Sequence, residues 1–197
     1  MQLNGLLSAL LGPNFHRLPE LWAWYVCPGF DSHGWRPHRD KSRLALLPDG
    51  SPQTLTLWLP LTDATPQTGC IHVVPADMDP TYNTAEEDTH RFPLQAIRAV
   101  PAAAGSVLGW NAALLHWGSF PARASSAPRV SVSVEFQRGD VPPFDEPLMR
   151  SHELPVFSSR LTLIAKQILQ YQHMDRPDEA TLSLAREILV RRPLPPR

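Results

Sequence analysis

Residues 129–137, with the sequence RVSVSVEFQ, alternate strictly between polar and apolar side chains, and this segment constrains the fold most. Successive side chains of a β-strand point to opposite faces, so the segment predicts a strand with one apolar and one polar face. The apolar face carries Val130, Val132, Val134 and Phe136, and the polar face carries Arg129, Ser131, Ser133 and Glu135. A strand with one apolar face needs a second layer to cover it, so the fold is built around a sheet.

Several other short segments share strand character and are separated by turn residues. Twenty-two prolines and few charged residues favour short strands and shaped loops over a helical bundle. The predicted strands are residues 21–27, 55–61, 94–100, 106–110 and 114–117. A long loop is predicted over residues 62–92, with a short apolar piece at 71–74. This series of short strands indicates a β-barrel or jelly roll.

Helical spacing occurs only towards the two ends of the chain. The predicted helices are residues 2–11, 158–173 and 178–191. We therefore predict a mainly β fold with flanking helices and two parts. Residues 1–138 form the β core with its N-terminal helix. Residues 139–197 form a Pro-rich linker and C-terminal helices that pack on this core.

The charge balance argues against polyanionic partners. Lys and Arg number 18 against 19 Asp and Glu, so the formal net charge is −1. Such a chain gives no reason to expect nucleic acid or an anionic membrane as a partner. No apolar run is long enough to span a bilayer, and the N-terminal one stops at Gly12-Pro13. We expect a cytoplasmic protein that acts on a small-molecule substrate, with a homodimer as a candidate assembly.

Two histidines and one carboxylate mark a candidate metal site. His38 and Asp40 are two residues apart, so their side chains point the same way from extended backbone and can reach one ion together. His116 follows much later in the chain. A His-x-Asp pair with a distal His is the facial triad of non-haem Fe(II) oxygenases, which leaves other coordination positions open.

A His-x-Asp pair alone is weak evidence, because the chain contains a second one. His173-Met174-Asp175 lies at the end of a predicted helix, and no histidine follows it. We interpret this second pair as part of the surface. The first pair differs because it has His116 and a carboxylate-binding candidate downstream.

That candidate is Arg129, at the start of the alternating strand. An arginine fork pairs bidentately with a carboxylate. Ser131 lies on the same strand face and can add a hydrogen bond to the same group. Glu135 shares this face as well, so a structural ion pair with Arg129 is the competing interpretation.

Four segments of the chain resemble the phytanoyl-CoA dioxygenase family. They are GWRPHRD (34–40), LTLWLPLTDATPQTGCIHVVP (55–75), AAGSVLGWNAALLHWGS (103–119) and PRVSVSVEF (128–136). Members often carry Pro-Gly-Ser-His after the Thr-Gly-Cys turn, whereas this chain has Pro-Ala-Asp-Met-Asp at 75–79. The resemblance implies a double-stranded β-helix that uses Fe(II), O2 and 2-oxoglutarate.

The resemblance also implies roles for individual residues. His38, Asp40 and His116 would bind the iron, and Arg129 and Ser131 would bind the distal carboxylate of 2-oxoglutarate. The expected reaction is hydroxylation of a small organic molecule, with release of succinate and CO2. The carboxylate of Asp40 favours hydroxylation, since related halogenases have a small residue there.

Two other functions remain open from the sequence. One is a non-catalytic barrel of this fold that binds a ligand or metal. The other is a cupin-like metalloenzyme that does not use 2-oxoglutarate, in which Arg129 and Ser131 would have no assigned task. The basic residues around the proposed metal loop either attract an anionic substrate or form a solvated loop. These residues are Arg36, Arg39, Lys41 and Arg43.

Overall fold

The structure is a computed structural model that describes residues 3–28, 34–41, 45–84, 89–125, 127–150 and 153–192. The strands are β1 (His16–Val26), β2 (Thr54–Pro60), β3 (Ile71–Val73), β4 (Arg98–Val100), β5 (Leu108–Asn111), β6 (His116–Gly118), β7 (Arg129–Gln137) and β8 (Met149–Arg150). The α-helices are α1 (Leu3–Leu11), α2 (Phe157–Gln170), α3 (Gln172–Asp175) and α4 (Glu179–Arg191). Short 3-10 helices cover Ala76–Met78 and Leu94–Ala96.

Two antiparallel sheets form the core. The larger sheet has the order β5-β2-β7-β1-β8, and the smaller has the order β4-β3-β6. Every ladder between named strands is antiparallel. The prediction of a mainly β fold with flanking helices is confirmed.

The central strand β7 coincides with the alternating segment. Its apolar face packs outward, where Phe136 joins Leu55 and Leu57 of β2. Leu7 and Leu11 of α1 cover this surface, so the N-terminal helix seals the outer side of the larger sheet. The polar face of β7 is therefore left to point towards the smaller sheet.

The two sheets pack against each other through large side chains. Trp58 and Trp110 of the larger sheet contact Ile71 of the smaller sheet and the buried Cys70 beside it. Within the described ranges, no strand ladder joins the two sheets, so the barrel is not closed.

Two strand predictions differ most in extent from the structure, and one strand lies within the segment predicted to be a loop. β1 begins at His16 rather than at residue 21, and its register with β7 shifts between Arg17 and Leu21 around Pro19. Proline lacks a backbone donor, which hid the first part of this strand in the sequence. Residues 94–96 form a 3-10 turn, so only 98–100 are strand. The apolar piece in the predicted 62–92 loop forms β3, which pairs with both β4 and β6.

The C-terminal helices pack on each other and dock on the core. The side chain of Gln167 in α2 makes two hydrogen bonds to the backbone of Leu21. Its Oε1 accepts the Leu21 N–H (3.1 Å), and its Nε2 donates to the Leu21 carbonyl (2.9 Å). Asp178 caps α4 by accepting the N–H of Thr181 (2.7 Å). The predicted division of the chain at residue 138 stays a prediction. No helix among the described residues is both long and apolar enough to cross a membrane.

Candidate active site

His38 and His116 are brought together by the backbone. The loop containing His38 forms an antiparallel bridge with β6, in which each residue's N–H donates to the other's carbonyl at 3.0 Å. The two imidazole centroids are 4.4 Å apart as a result. Gly34 permits this close approach, since a Cβ there would lie 2.6 Å from the carbonyl oxygen of Gly118.

Asp40 completes the group. Its Oδ1 lies 3.7 Å from Nε2 of His38 and 3.5 Å from Nε2 of His116. Its other oxygen, Oδ2, accepts hydrogen bonds from Thr56 Oγ1 (2.6 Å) and Trp110 Nε1 (3.0 Å). The carboxylate is therefore held with one oxygen directed at the two imidazoles. The three possible ligand atoms all lie within 4.8 Å of one another.

Both imidazoles are oriented through their second nitrogen. Nδ1–H of His38 donates to the carbonyl of Arg36 (2.8 Å), and Nδ1–H of His116 donates to the carbonyl of Leu114 (3.0 Å). This arrangement leaves each Nε2 with its lone pair towards Asp40. Backbone carbonyls that fix the tautomer in this way are typical of metal-binding histidines.

The protonation states also suit a metal. Burial, followed by the neighbouring His116, lowers the pKa of His38 to about 4, so its imidazole is neutral near pH 7. Burial alone would raise the pKa of Asp40, but His116, Thr56, His38 and Trp110 lower it, so the carboxylate is charged. Metal ligands must be deprotonated, and both groups already are.

Arg129 lies buried on the inward face of β7. It is 3% exposed, its guanidinium carbon is 5.6 Å from the centre of the Trp58 ring, and its Nη1 donates to Ser131 Oγ (3.2 Å). Its Nε has no hydrogen-bond partner, and among the described residues no ion pair involves it. Burial lowers the pKa of Arg129 to about 10. Buried charges are normally paired, so this cation has room for an anionic ligand.

A cavity of about 310 Å³ connects these groups. Its lining includes the three residues of the triad, Arg129, and Gly118, which lies against the guanidinium. Ser131 is fully buried behind this surface, so its hydroxyl contacts the guanidinium and does not line the cavity.

An aromatic wall forms one side of the cavity. The rings of Trp22 and Trp24 are stacked at 5.6 Å, and Trp35 meets Trp24 edge-on at 5.1 Å. Tyr171, which follows α2, meets Trp22 edge-on at 4.6 Å. The C-terminal segment therefore helps to build the cavity, which the sequence did not reveal. Alternation along β1 was a usable signal for the tryptophans, whereas nothing in the sequence places Tyr171 beside them.

Acidic groups line the part of the cavity that lies farthest from Arg129 along β7. Glu20 of β1 and Glu135 of β7 both line it, together with Lys41. Lys41 donates to Glu135 Oε2 at 3.1 Å, so the proposed ion pair between Arg129 and Glu135 is not the one that forms. Sequence reasoning missed Glu20, although it shares a strand face with Trp22 at a spacing of two.

The basic loop is largely neutralised within the protein. Arg39 pairs with the buried Asp79 and also donates to Thr81 Oγ1 (2.9 Å). Asp79 belongs to the segment, residues 75–79, in which the chain departs from the family pattern. Its ion pair with Arg39 anchors the loop that carries His38 and Asp40. With Lys41 on Glu135, neither cation is free to attract an anionic substrate. Arg43 lies outside the described residues.

The second His-x-Asp pair is not part of this site. His173 lies in α3 and is exposed, with its ring 6.5 Å from that of Tyr171. Among the described residues, the group of His38, Asp40 and His116 is the only one whose side chains could hold a metal ion.

The sequence matches the family Phytanoyl-CoA dioxygenase (PhyH) over residues 2–131. No curated protein matches the chain.

Solved structures show the same fold at low identity. EvdMO1 has a TM-score of 0.54 and 22% identity, covering 70% of this chain and 30% of its own. AviO1 from Streptomyces viridochromogenes Tue57 has a TM-score of 0.55 and 20% identity, covering 72% and 59%. The epimerase SnoN, solved with Fe3+, alpha ketoglutarate and nogalamycin RO, has a TM-score of 0.52 and 21% identity, covering 80% and 68%.

These likenesses establish the architecture. The predicted jelly-roll, or double-stranded β-helix, fold is confirmed. The chain spans under a third of the length of EvdMO1 and about three fifths of that of AviO1.

Proposed function

The chain belongs to the phytanoyl-CoA dioxygenase family, and from that premise we propose that it is an oxygenase that uses Fe(II), O2 and 2-oxoglutarate to hydroxylate a small organic molecule. The observation that carries this proposal is a buried Arg129 that has no ion pair among the described residues and lies in the same cavity as the triad. A metal-binding barrel without 2-oxoglutarate would gain nothing from a cation buried at this cost.

His38, Asp40 and His116 would hold the metal. Two neutral imidazoles and one carboxylate on one side of an ion leave positions for the cosubstrate and O2. When bound, Fe(II) supplies the activation of O2 that couples decarboxylation of 2-oxoglutarate to oxidation of the substrate. Thr56 and Trp110 both donate to Oδ2 of Asp40, so protein hydrogen bonds fix the orientation of this ligand.

Arg129 would bind the distal carboxylate of 2-oxoglutarate. Its planar guanidinium offers parallel N–H donors to two carboxylate oxygens. Ser131 accepts from Nη1 and so fixes the orientation of this fork. Gly118 leaves the space beside Nη2, since a Cβ at that position would approach it to 3.2 Å.

The aromatic wall would keep water from the reacting centre. Trp35 lies 6.1 Å, centre to centre, from the imidazole of His38, and Trp24 extends the wall away from it. Excluding water prevents side reactions of the activated oxygen. The solved relatives SnoN and SnoK are named as an epimerase and a carbocyclase, so hydroxylation is a specific proposal to be tested by product analysis.

The direct test measures succinate. Purified protein supplied with Fe(II), O2 and 2-oxoglutarate should form succinate slowly without a substrate and faster once one is found. His116→Ala should form none, because the metal is lost. No succinate from wild-type protein with demonstrably bound iron would refute the proposal. Mass spectrometry of the product, which gains one oxygen atom on hydroxylation, distinguishes this outcome from epimerisation or ring closure.

A further inference from the structure

The acidic end of the cavity contains buried carboxyl groups that the proposed chemistry does not use. Glu20 is 6% exposed, and the side chain of Glu135 is 14% exposed. Oε1 of Glu20 accepts a hydrogen bond from the Tyr171 hydroxyl (3.3 Å). Among the described residues, its Oε2 has no partner, nor does Oε1 of Glu135. Unmet acceptors at this depth cost free energy unless a ligand supplies donors.

Each of the two nearby lysines is paired with a carboxylate other than Glu20. Lys41 pairs with Glu135, and Lys166 with Asp145. Within the described part of the chain, Glu20 has no ion pair. Burial raises the pKa of Glu20 to about 7, with further contributions from a hydrogen bond to the Asp145 carboxyl and from its charge, and burial raises the pKa of Glu135 to about 7 as well. This end of the cavity therefore has one more acidic group than it has cations.

The aromatic side chains beside these carboxyls add a second attraction for positive charge. Tyr171 is hydrogen-bonded to Glu20 and packs edge-on against Trp22, which stacks on Trp24. An ammonium group near an aromatic face is attracted by its quadrupole, and this attraction grows when water is excluded.

We propose that this end of the cavity binds a protonated amine on the substrate, with its N–H groups donated to the carboxyl groups of Glu20 and Glu135 beside Trp22. An anionic group would be repelled here, whereas a protonated amine adds the cation that Glu20, Glu135 and Asp145 lack with only Lys41 and Lys166 beside them. This inference rests on the proposed function, because it assigns the substrate class of the same site.

The location suits a substrate anchor. Thr56 is the cross-strand neighbour of Glu135, and its hydroxyl donates to Asp40. The acidic end therefore adjoins the triad, while Arg129 lies six residues away along β7, about 20 Å for an extended strand. An amine bound here leaves the Arg129 end to the cosubstrate.

The test compares three six-membered-ring probes of similar size, cyclohexylamine, cyclohexanol and cyclohexanecarboxylate. Their binding is followed by ligand-observed NMR on protein loaded with Fe(II) and 2-oxoglutarate under nitrogen. The wild type should bind the amine about tenfold more tightly than the alcohol, as expected for charge-assisted hydrogen bonds, and should bind the carboxylate weakest. Glu20→Gln should remove most of this preference, and Glu135→Gln a smaller part, because Lys41 already shares its charge.

Glu187→Gln is the matched control, since it makes the same change on the exposed face of α4 and should keep the preference. Melting curves verify that each variant is folded. Equal binding of amine and alcohol by the wild type, or an undiminished preference in both cavity variants, would overturn the inference. The titration is repeated without metal, where the same preference is expected. Visible absorbance from 2-oxoglutarate on Fe(II) reports separately whether the cosubstrate is bound. A protein that fails to bind 2-oxoglutarate is therefore distinguished from one that fails to bind the amine.

Discussion

The inward face of β7 carries a positive charge at one end and acidic groups at the other. The two ends also differ in how these groups are paired. At one end Arg129 is a buried cation with no carboxylate partner in the part of the chain that the structure describes. At the other, Glu135 shares Lys41 and lies in a cavity with Glu20, which has no cation of its own in the described residues. The rigid strand keeps Arg129 and Glu135 about 20 Å apart, so they do not neutralise each other. The two proposals therefore assign ligands of opposite charge to the two ends, an anionic cosubstrate to Arg129 and a cationic substrate group to Glu20 and Glu135.

The largest effect is expected from removing the triad that lines the same cavity as both ends. His116→Ala should abolish Fe(II) binding, because two remaining ligands form too weak a chelate. Metal analysis after anaerobic loading measures this. Iron retained at the wild-type level would mean that the ion is held by other residues.

Arg129→Ala should act on one end only. Loss of charge-assisted hydrogen bonds, each worth roughly 1.5–3 kcal/mol, should weaken 2-oxoglutarate binding by about ten- to a hundredfold per bond. Fe(II) should still bind, and Arg129→Lys should be intermediate because it keeps the charge without the fork. Calorimetric titration under nitrogen measures both. A lower melting temperature with unchanged 2-oxoglutarate affinity would instead indicate a structural cation.

The acidic end should reveal itself through the pH dependence of stability. The pKa of Glu20 is about 7 in the folded protein and 4.5 ordinarily, so the folded state binds more protons between these values. Its stabilising contribution is present below about pH 4.5 and is lost as pH rises through about 7. Since one pKa unit is about 1.4 kcal/mol, Glu20→Gln should gain up to about 3 kcal/mol on wild type over this range.

Denaturant unfolding of metal-free protein at both pH values measures this difference. Glu135→Gln should behave similarly, because burial raises its pKa to about 7 as well. The exposed substitution Glu187→Gln should show no such trend. A constant difference between Glu20→Gln and wild type across the range would contradict the charge assignment at this end.

Ser131→Ala should have a smaller effect than any change at Arg129. One hydrogen bond that orients the guanidinium is lost, so 2-oxoglutarate binding should weaken by about 1 kcal/mol, or roughly fivefold. The same calorimetric titration detects it. A loss as large as that of Arg129→Ala would show that Ser131 contacts the cosubstrate itself.

The smallest effect is expected outside the cavity. His173→Ala should leave Fe(II) affinity unchanged, because His173 is exposed and belongs to no described cluster of ligands. Metal analysis of the His173→Ala and His116→Ala variants, loaded in the same way, compares how much iron each one binds. A marked loss of iron would mean that the second His-x-Asp pair contributes to the site.

The sequence was sufficient to predict those features that depend on the periodicity or spacing of residues close together in the chain. Alternation located β7 and its two faces, and it placed Arg129 and Ser131 on the same side. The pairing of His38 with Asp40 followed from their spacing, and the partnership with His116 came from the family pattern. The structure brings all three together.

What the sequence could not supply depends on contacts between distant segments. Pro19 interrupts the pattern of β1, which hid Glu20 at the point where its register with β7 shifts. The ion pair between Lys41 and Glu135 joins a loop to a strand, and Tyr171 reaches the cavity only because α2 docks on β1. Neither contact has a local signature, so the acidic end became visible only in three dimensions.

The central claim is that iron and 2-oxoglutarate occupy this cavity together. Anomalous diffraction at the iron edge, from crystals grown with both under nitrogen, tests it most directly. The account predicts an iron peak within bonding distance of His38 Nε2, His116 Nε2 and Asp40 Oδ1, with a 2-oxoglutarate carboxylate on the Arg129 guanidinium. Iron bound elsewhere, or 2-oxoglutarate bound without contact to Arg129, would contradict it.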